Sequence, residues 1–162
     1  MDLEYGERYE DFRRGVRAFL DEHKDKRPKR GFYELRREEL SAWLSLQIDH
    51  GYWARTIPKD YGGYGAEPDL LETVIMDEEF NRAGVGRGMP AQGPAMLVPT
   101  LLQHGTEEQK RRFVGATMRG EIIWCQGYSE PGAGSDLASL QTSATEDGDD
   151  FLINGQKIWT ST

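Results

Sequence analysis

The spacing of apolar residues changes period near residue 120, and that change dictates two kinds of structure in one chain. Ahead of it, Tyr5, Tyr9, Phe12, Val16 and Phe19 recur at helical steps, laying one apolar stripe along a first helix that ends before Pro28. A second helix over about Tyr33 to Asp49 turns Leu35, Leu40, Trp43, Leu44 and Ile48 inward and closes at Gly51. Ile57-Pro58-Lys59-Asp60-Tyr61-Gly62-Gly63 then reads as a loop. A third helix runs from about Asp69 to Arg82, with Leu70, Leu71, Val74, Ile75 and Phe80 apolar. A fourth carries Met96 to His104, where Pro99 either kinks the helix or marks its start, and Gly105 ends it. Thr106 and Gln109 have the spacing of a capping box for a fifth helix, which reaches about Arg119 and stops at Gly120.

After Gly120 the period drops to two. Ile122 to Tyr128 reads as a strand, Glu130 to Asp136 as a Gly-rich turn, and Leu140 to Glu146 as an alternating segment. Asp147-Gly148-Asp149-Asp150 turns the chain into a strand that begins Phe151-Leu152-Ile153. Asn154-Gly155 is a strong hairpin signal, with Lys157-Ile158-Trp159 as the returning strand. Helices followed by antiparallel strands make an α+β chain. The expected division is an all-α helical bundle over residues 1–120 and a partial antiparallel β domain over residues 121–162. Three or four strands leave an open edge, so the chain reads as part of a longer protein.

Composition removes several function classes. With 28 acidic and 20 basic residues the net charge is -8, which repels a nucleic-acid backbone. Lys24 to Arg30 reads as a solvated loop, with a phosphate-binding patch as the alternative. A mean hydropathy of -0.71 and the lack of a long apolar run argue against a membrane span. Met1 to Tyr5 lacks the pattern of a signal peptide, so a cytoplasmic location is expected. Cys125 is the single cysteine and reads as a packed, inert thiol in a strand; no internal disulfide can form. His23, His50 and His104 are scattered without metal-ligand spacing, so neither a metal nor a catalytic triad is expected.

The stretch with most chemical content is Gln126-Gly127-Tyr128-Ser129-Glu130-Pro131-Gly132-Ala133-Gly134-Ser135-Asp136. Gly132 and Gly134 leave backbone N–H groups open beside a serine hydroxyl, a concavity that suits a phosphate oxygen. It lacks the third glycine of a dinucleotide fingerprint and the Gly-Lys-Ser/Thr of a P-loop. On the residues alone it reads as a structural turn, with the phosphate cradle as the alternative.

Ser129-Glu130-Pro131-Gly132-Ala133-Gly134-Ser135-Asp136, followed by Asn154-Gly155-Gln156-Lys157-Ile158-Trp159, resembles the flavin-binding segment of the acyl-CoA dehydrogenase family. Upstream, Pro58-Lys59-Asp60-Tyr61-Gly62-Gly63 and His104-Gly105-Thr106-Glu107-Glu108-Gln109-Lys110 resemble the family's loop after its second main helix and its helix junction. The resemblance thus spans nearly the whole chain in order and spacing. It implies FAD as cofactor and an acyl-CoA thioester as substrate, with an electron-transfer flavoprotein as electron acceptor. A homo- or hetero-oligomer and a role in fatty acid or lipid metabolism are implied as well.

Residue by residue, the resemblance implies that Gln126, Gly127, Tyr128 and Ser129 line the flavin ring through backbone groups and the Ser129 hydroxyl. Gly134 and Ser135 approach the FAD pyrophosphate, and Ser135 also lies near the pantetheine arm of the substrate. Trp159, Thr160 and Ser161 cover the rest of the isoalloxazine, the indole packing on it and a hydroxyl or amide reaching its N5 edge. By periodicity alone Trp159 and Trp124 are core residues. The family often has an aromatic at Gln126, an aliphatic at Tyr128, threonine at Ser129 and isoleucine-threonine at Thr160-Ser161. Ser129 keeps the hydroxyl, while Gln126 and Tyr128 alter polarity and bulk beside the ring.

The implied reaction is α,β-desaturation. A carboxylate takes the α proton, the β hydrogen leaves as hydride to the flavin, and hydrogen bonds to the thioester carbonyl stabilise enolate-like charge. The resemblance puts that base, a glutamate, in a C-terminal helical bundle beyond Thr162, so no residue here is assigned to it and the chain alone is expected to be inactive. Glu130 is expected to hold loop geometry instead. The alternatives are a subunit whose partner supplies the base, a flavin-dependent oxidase or monooxygenase of the same superfamily, and a helical interaction module without flavin.

Overall fold

A computed structural model describes residues 5–29 and 34–160, so the expected start of the second helix at Tyr33 and the flavin contact at Ser161 lie outside the described residues. Contacts divide the chain into two compact units, residues 1–122 and 123–162. The first is helical and the second carries a small antiparallel sheet, an α+β chain as the two apolar periods require.

In the helical unit, α1 (Glu7–Glu22), α2 (Arg37–Asp49), α3 (Leu70–Arg82), α4 (Val98–His104) and α5 (Glu107–Met118) surround three apolar clusters. The first joins Val16, Phe19 and Leu20 of α1 to Trp43 of α2 and to Ile75, Met76 and Phe80 of α3. The second packs Ile48, Ala54, Ile57 and Val98 against Val114 and Met118 of α5, and the third holds Leu40 and Leu44 against Met89 and Ala91. Each fully buried aliphatic or aromatic side chain in these clusters contributes about 1.5–3 kcal/mol of transfer free energy, opposed by the cost of ordering the chain.

The helix ends follow the sequence signals. The Thr106 hydroxyl accepts from the Gln109 amide at 3.2 Å while the Gln109 side chain accepts from the Thr106 amide at 2.9 Å, completing the capping box. Asp69 caps α3 by accepting from the amides of Leu71 and Glu72. At the end of α2, Gly51 takes a φ of 75°, its amide donates to Ile48 and that of Tyr52 to Gln47, which is a Schellman closure. Gly120 closes α5 in the same way.

Pro99 lies inside a longer helical run, Gln92 to His104, and disturbs it rather than starting it. It has no N–H for the Ala95 carbonyl, and the chain ahead of it, Gly93–Leu97, widens into a π turn before α4 begins at Val98.

Three further expectations need correction in this unit. α2 begins at Arg37, so Leu35 precedes the helix, although it still packs on the third cluster. His23 and His50 are not scattered singly, because both rings lie against Phe19 and their centroids are 5.4 Å apart. Within the basic stretch Arg27 is not solvated: its guanidinium turns back onto the Leu20 carbonyl near the end of α1.

In the second unit, β1 (Ser143–Asp147) pairs antiparallel with β2 (Asp150–Asn154), from Ser143 opposite Asn154 to Asp147 opposite Asp150. Gly148, at a φ of 67°, takes the first central position of the two-residue turn. The segment from Ile123 to Ser129 is not assigned to any strand among the described residues, contrary to the sequence expectation. A period of two is a property of extended chain, whereas a strand also needs a partner at the right register. Cys125 is therefore exposed rather than packed.

The hairpin also forms at a different turn from the one Asn154-Gly155 suggested. Gly155 serves close approach instead, since a Cβ there would sit 2.2 Å from Thr142 Oγ1. Lys157 to Trp159 does not return as a strand, because its polar groups bond to the segment around Ser129.

Candidate flavin-binding segment

Glu130 is the centre of the second unit. Its side chain is 6% exposed and receives three donors: the Gln141 amide on Oε2 at 2.7 Å, and the Thr142 amide at 3.0 Å and Lys157 Nζ at 2.9 Å on Oε1. A buried carboxylate is tolerable only with such partners. Thr142 first, then the Gln141 amide and the Lys157 ammonium, hold its carboxyl down at about 2. Thr142 Oγ1 is buried without a hydrogen-bond partner, so Thr142 acts on Glu130 through its amide. Glu130 thus holds loop geometry, as its place in the motif suggested, and its donors come from two separate stretches of chain, Gln141-Thr142 and Lys157.

The motif folds as a tight turn on this anchor. Glu130 and Ala133 exchange backbone hydrogen bonds at 2.8 and 3.1 Å, with Pro131 and Gly132 at the tip. The Ser139 hydroxyl donates to the carbonyls of Asp136 at 2.9 Å and Gly132 at 3.2 Å, pulling the following 3-10 turn back onto the loop. Gly134 and Ser135 are exposed on the outside of that turn, and a Cβ built on Gly134 would meet only open space.

The extended segment before the turn is bonded through two of its carbonyls. Tyr128 O accepts from Lys157 Nζ at 3.0 Å, and Ser129 O accepts from the Ile158 amide at 2.8 Å. The Lys157 stem crosses Gly127, whose Cα hydrogens leave ordinary contact distance for it. Among the described residues, the amide N–H groups of Gln126, Gly127, Tyr128 and Ser129 donate to no hydrogen bond. Gln126 and Ser129 are half-buried, Gly127 is exposed, and Tyr128 is 62% exposed. Trp159 is 84% exposed, in a left-handed backbone conformation at a φ of 55° that costs a non-glycine residue free energy, and Thr160 beside it is exposed.

Of the residues expected from sequence, Gln126 to Ser129 and Trp159 to Thr160 belong to two segments that Lys157 and Ile158 hold together. Gly134 and Ser135 follow in the adjoining turn. Sequence reading missed Lys157, whose signal was a cation two residues before the tryptophan and a carboxylate in the motif with no other stated partner. The donor set suits FAD: neutral amide and hydroxyl donors, open glycines and an exposed aromatic fit an acceptor-edged ring and a pyrophosphate.

The family model described as "Acyl-CoA dehydrogenase, N-terminal domain" matches residues 6–121, and "Acyl-CoA dehydrogenase, middle domain" matches residues 125–162. Acyl-CoA dehydrogenase IpdE1 of Mycobacterium tuberculosis is 44% identical over 124 residues, which cover 76% of this chain and 32% of that protein. Among solved structures, the ChsE4-ChsE5 complex from Mycobacterium tuberculosis aligns with a TM-score of 0.64 and 35% identity, covering 99% of this chain and 40% of that one. A steroid ACAD, Tcur3481-Tcur3483, aligns at 0.60 with 34% identity over 98% of this chain and 41% of that one. The chain therefore spans about a third of the length of the first of these relatives and two fifths of the solved chains.

Proposed function

The chain belongs to the acyl-CoA dehydrogenase family, and from that premise we propose that it forms part of an FAD-dependent enzyme that desaturates an acyl-CoA thioester. The observation that carries the flavin reading is the donor edge from Gln126 to Ser129, four consecutive backbone N–H groups. Its carbonyls at Tyr128 and Ser129 are bonded, while its N–H groups donate to no partner among the described residues. A row of unspent donors matches the acceptor atoms of an isoalloxazine.

FAD, when bound, supplies the hydride acceptor. The residues of this chain bind and orient. The amides of Gln126 to Ser129 and the Ser129 hydroxyl fix the ring, Gly134 and Ser135 donate to the pyrophosphate, and Ser135 lies toward the pantetheine arm. The exposed indole of Trp159 covers the ring and excludes water from it, with Thr160 and Ser161 toward the N5 edge. None of these residues takes the α proton. Glu130 is unsuited to that work because its three donors hold it as a carboxylate of low basicity. The two-domain division at residue 120 is part of the same reading.

A second reading is an obligate hetero-oligomer in which a partner chain completes the site. It is favoured because both solved neighbours named above carry paired names, the ChsE4-ChsE5 complex and Tcur3481-Tcur3483. Anaerobic mixing of the purified protein with a panel of straight-chain and steroid acyl-CoA thioesters tests both readings. Bleaching of the flavin that requires a copurifying second chain supports the hetero-oligomer. Bleaching without one supports self-sufficiency, and none with any thioester contradicts desaturation.

A further inference from the structure

Lys157 makes two contacts at once: Nζ donates to the Tyr128 carbonyl at 3.0 Å and to Glu130 Oε1 at 2.9 Å. One residue later the Ile158 amide donates to Ser129 O at 2.8 Å, and the next residue is Trp159 at a positive φ. Lys157 therefore bonds to the Gln126–Ser129 segment and lies two residues before the exposed indole. Its side chain is 28% exposed and that of Glu130 6%, so the ion pair is largely shielded from water and more directional than a surface pair.

We infer that Lys157 is a positioning residue for the cofactor, holding the Gln126–Ser129 donor edge and the Trp159 indole in a fixed relation to each other. The inference rests on the flavin reading proposed above. Its physical content is that two flavin-facing elements with no mutual strand pairing need further constraint, and the Lys157 ammonium, with one N–H on each acceptor, adds it to the Ile158–Ser129 bond. A tertiary clamp of this kind lowers the ordering cost that cofactor binding otherwise bears. It also pulls on the Tyr128 carbonyl, polarising the peptide whose N–H belongs to Ser129 on the donor edge.

The test compares wild type with Lys157→Met, Lys157→Gln and Lys157→Arg, each purified with any subunit that accompanies it. FAD affinity, the visible flavin spectrum and amide exchange at Ile158 are measured. The expected result is FAD binding at least about tenfold weaker in Lys157→Met, roughly one charge-assisted hydrogen bond. The bound flavin spectrum shifts, Ile158 exchanges faster, the β1–β2 hairpin amides keep their protection, and Lys157→Arg recovers most of the affinity. Unchanged affinity and spectrum in Lys157→Met would overturn the positioning role while leaving the flavin reading intact. Loss of the hairpin together with FAD in both Lys157→Met and Lys157→Gln would make Lys157 a folding residue and overturn it too. Failure of the wild type to bind FAD would overturn the flavin reading itself, and this inference with it.

Discussion

Arg17 of α1 meets Glu79 of α3 through two hydrogen bonds, Nε to Oε2 at 2.9 Å and Nη2 to Oε1 at 2.8 Å. Glu79 is 1% exposed, and Arg13 and Arg82 also reach it, at 2.8 and 2.6 Å. The Arg17 bond first, with Arg13 next among the hydrogen bonds, brings its carboxyl down to about 2 against the ordinary 4.5. Because the folded value is depressed, the stabilisation is present above about 4.5 and is lost as pH falls toward 2. Glu79→Gln should cost about 2 kcal/mol near neutrality, less than a fully buried pair because Arg17 and Arg82 are partly exposed. Its acid limb of thermal stability should be flatter than that of wild type. Chemical denaturation between neutral pH and pH ~3 checks both, and an acid limb identical to wild type would remove Glu79 from the account.

Gly88 lies against the face of Trp53. It has a φ of 69°, and a Cβ there would stand 2.1 Å from the indole, a distance no rotamer of a bulky ring can relieve cheaply. The loop is fixed from other sides as well, by Gln47 Oε1 accepting the Gly88 amide at 2.9 Å and by the Trp53 Nε1 bond to Met118 O at 2.8 Å. Gly88→Ala should destabilise the helical unit by about 2–4 kcal/mol through overpacking and backbone strain together. A shift in the denaturation midpoint with unchanged slope is the expected readout, and a neutral substitution would mean the loop moves freely.

Glu130 provides a local pH probe in the second unit. With its folded value near 2 and its ordinary value at 4.5, its contribution to loop order is complete above 4.5 and fades between there and 2. The amide resonances of Gln141 and Thr142, which donate to it, should titrate with a midpoint near 2. A midpoint near 4.5 would mean the carboxylate is not held by those donors.

Much of the helical unit was legible in sequence because its information is local. The stripe Val16–Phe19, the Thr106–Gln109 box and the closing glycines Gly51 and Gly120 each act within a turn or two. What was missed is tertiary. Arg13 and Arg17 share a helix face, but nothing in the sequence says that this face meets Glu79 some sixty residues later. Gln47 and Gly88, or His23 and His50, are likewise neighbours only after folding.

In the second unit the sequence identified extended chain and turns, and it misplaced the pairing. Asp147 to Asp150 and Asn154-Gly155 were both competent turns, and the choice went to the one whose flanks, Ser143–Asp147 and Asp150–Asn154, pair in register. The second pair of flanks was diverted because Lys157 and Ile158 bond to Glu130, Tyr128 and Ser129 instead. The residues expected at the flavin came from the motif resemblance. The structure adds that the amides of Gln126–Ser129 find no partner among the described residues.

The central claim is that this donor edge holds FAD, and equilibrium titration of the purified protein with FAD tests it most directly. Flavin fluorescence and visible absorption would be followed, with any accompanying subunit retained. Saturable binding with a perturbed flavin spectrum, weakened at least several-fold by Ser129→Ala as one lost hydrogen bond requires, is the predicted result. Flavin that keeps its free emission and absorption at every concentration, in a protein whose helices and hairpin are intact, would contradict the account.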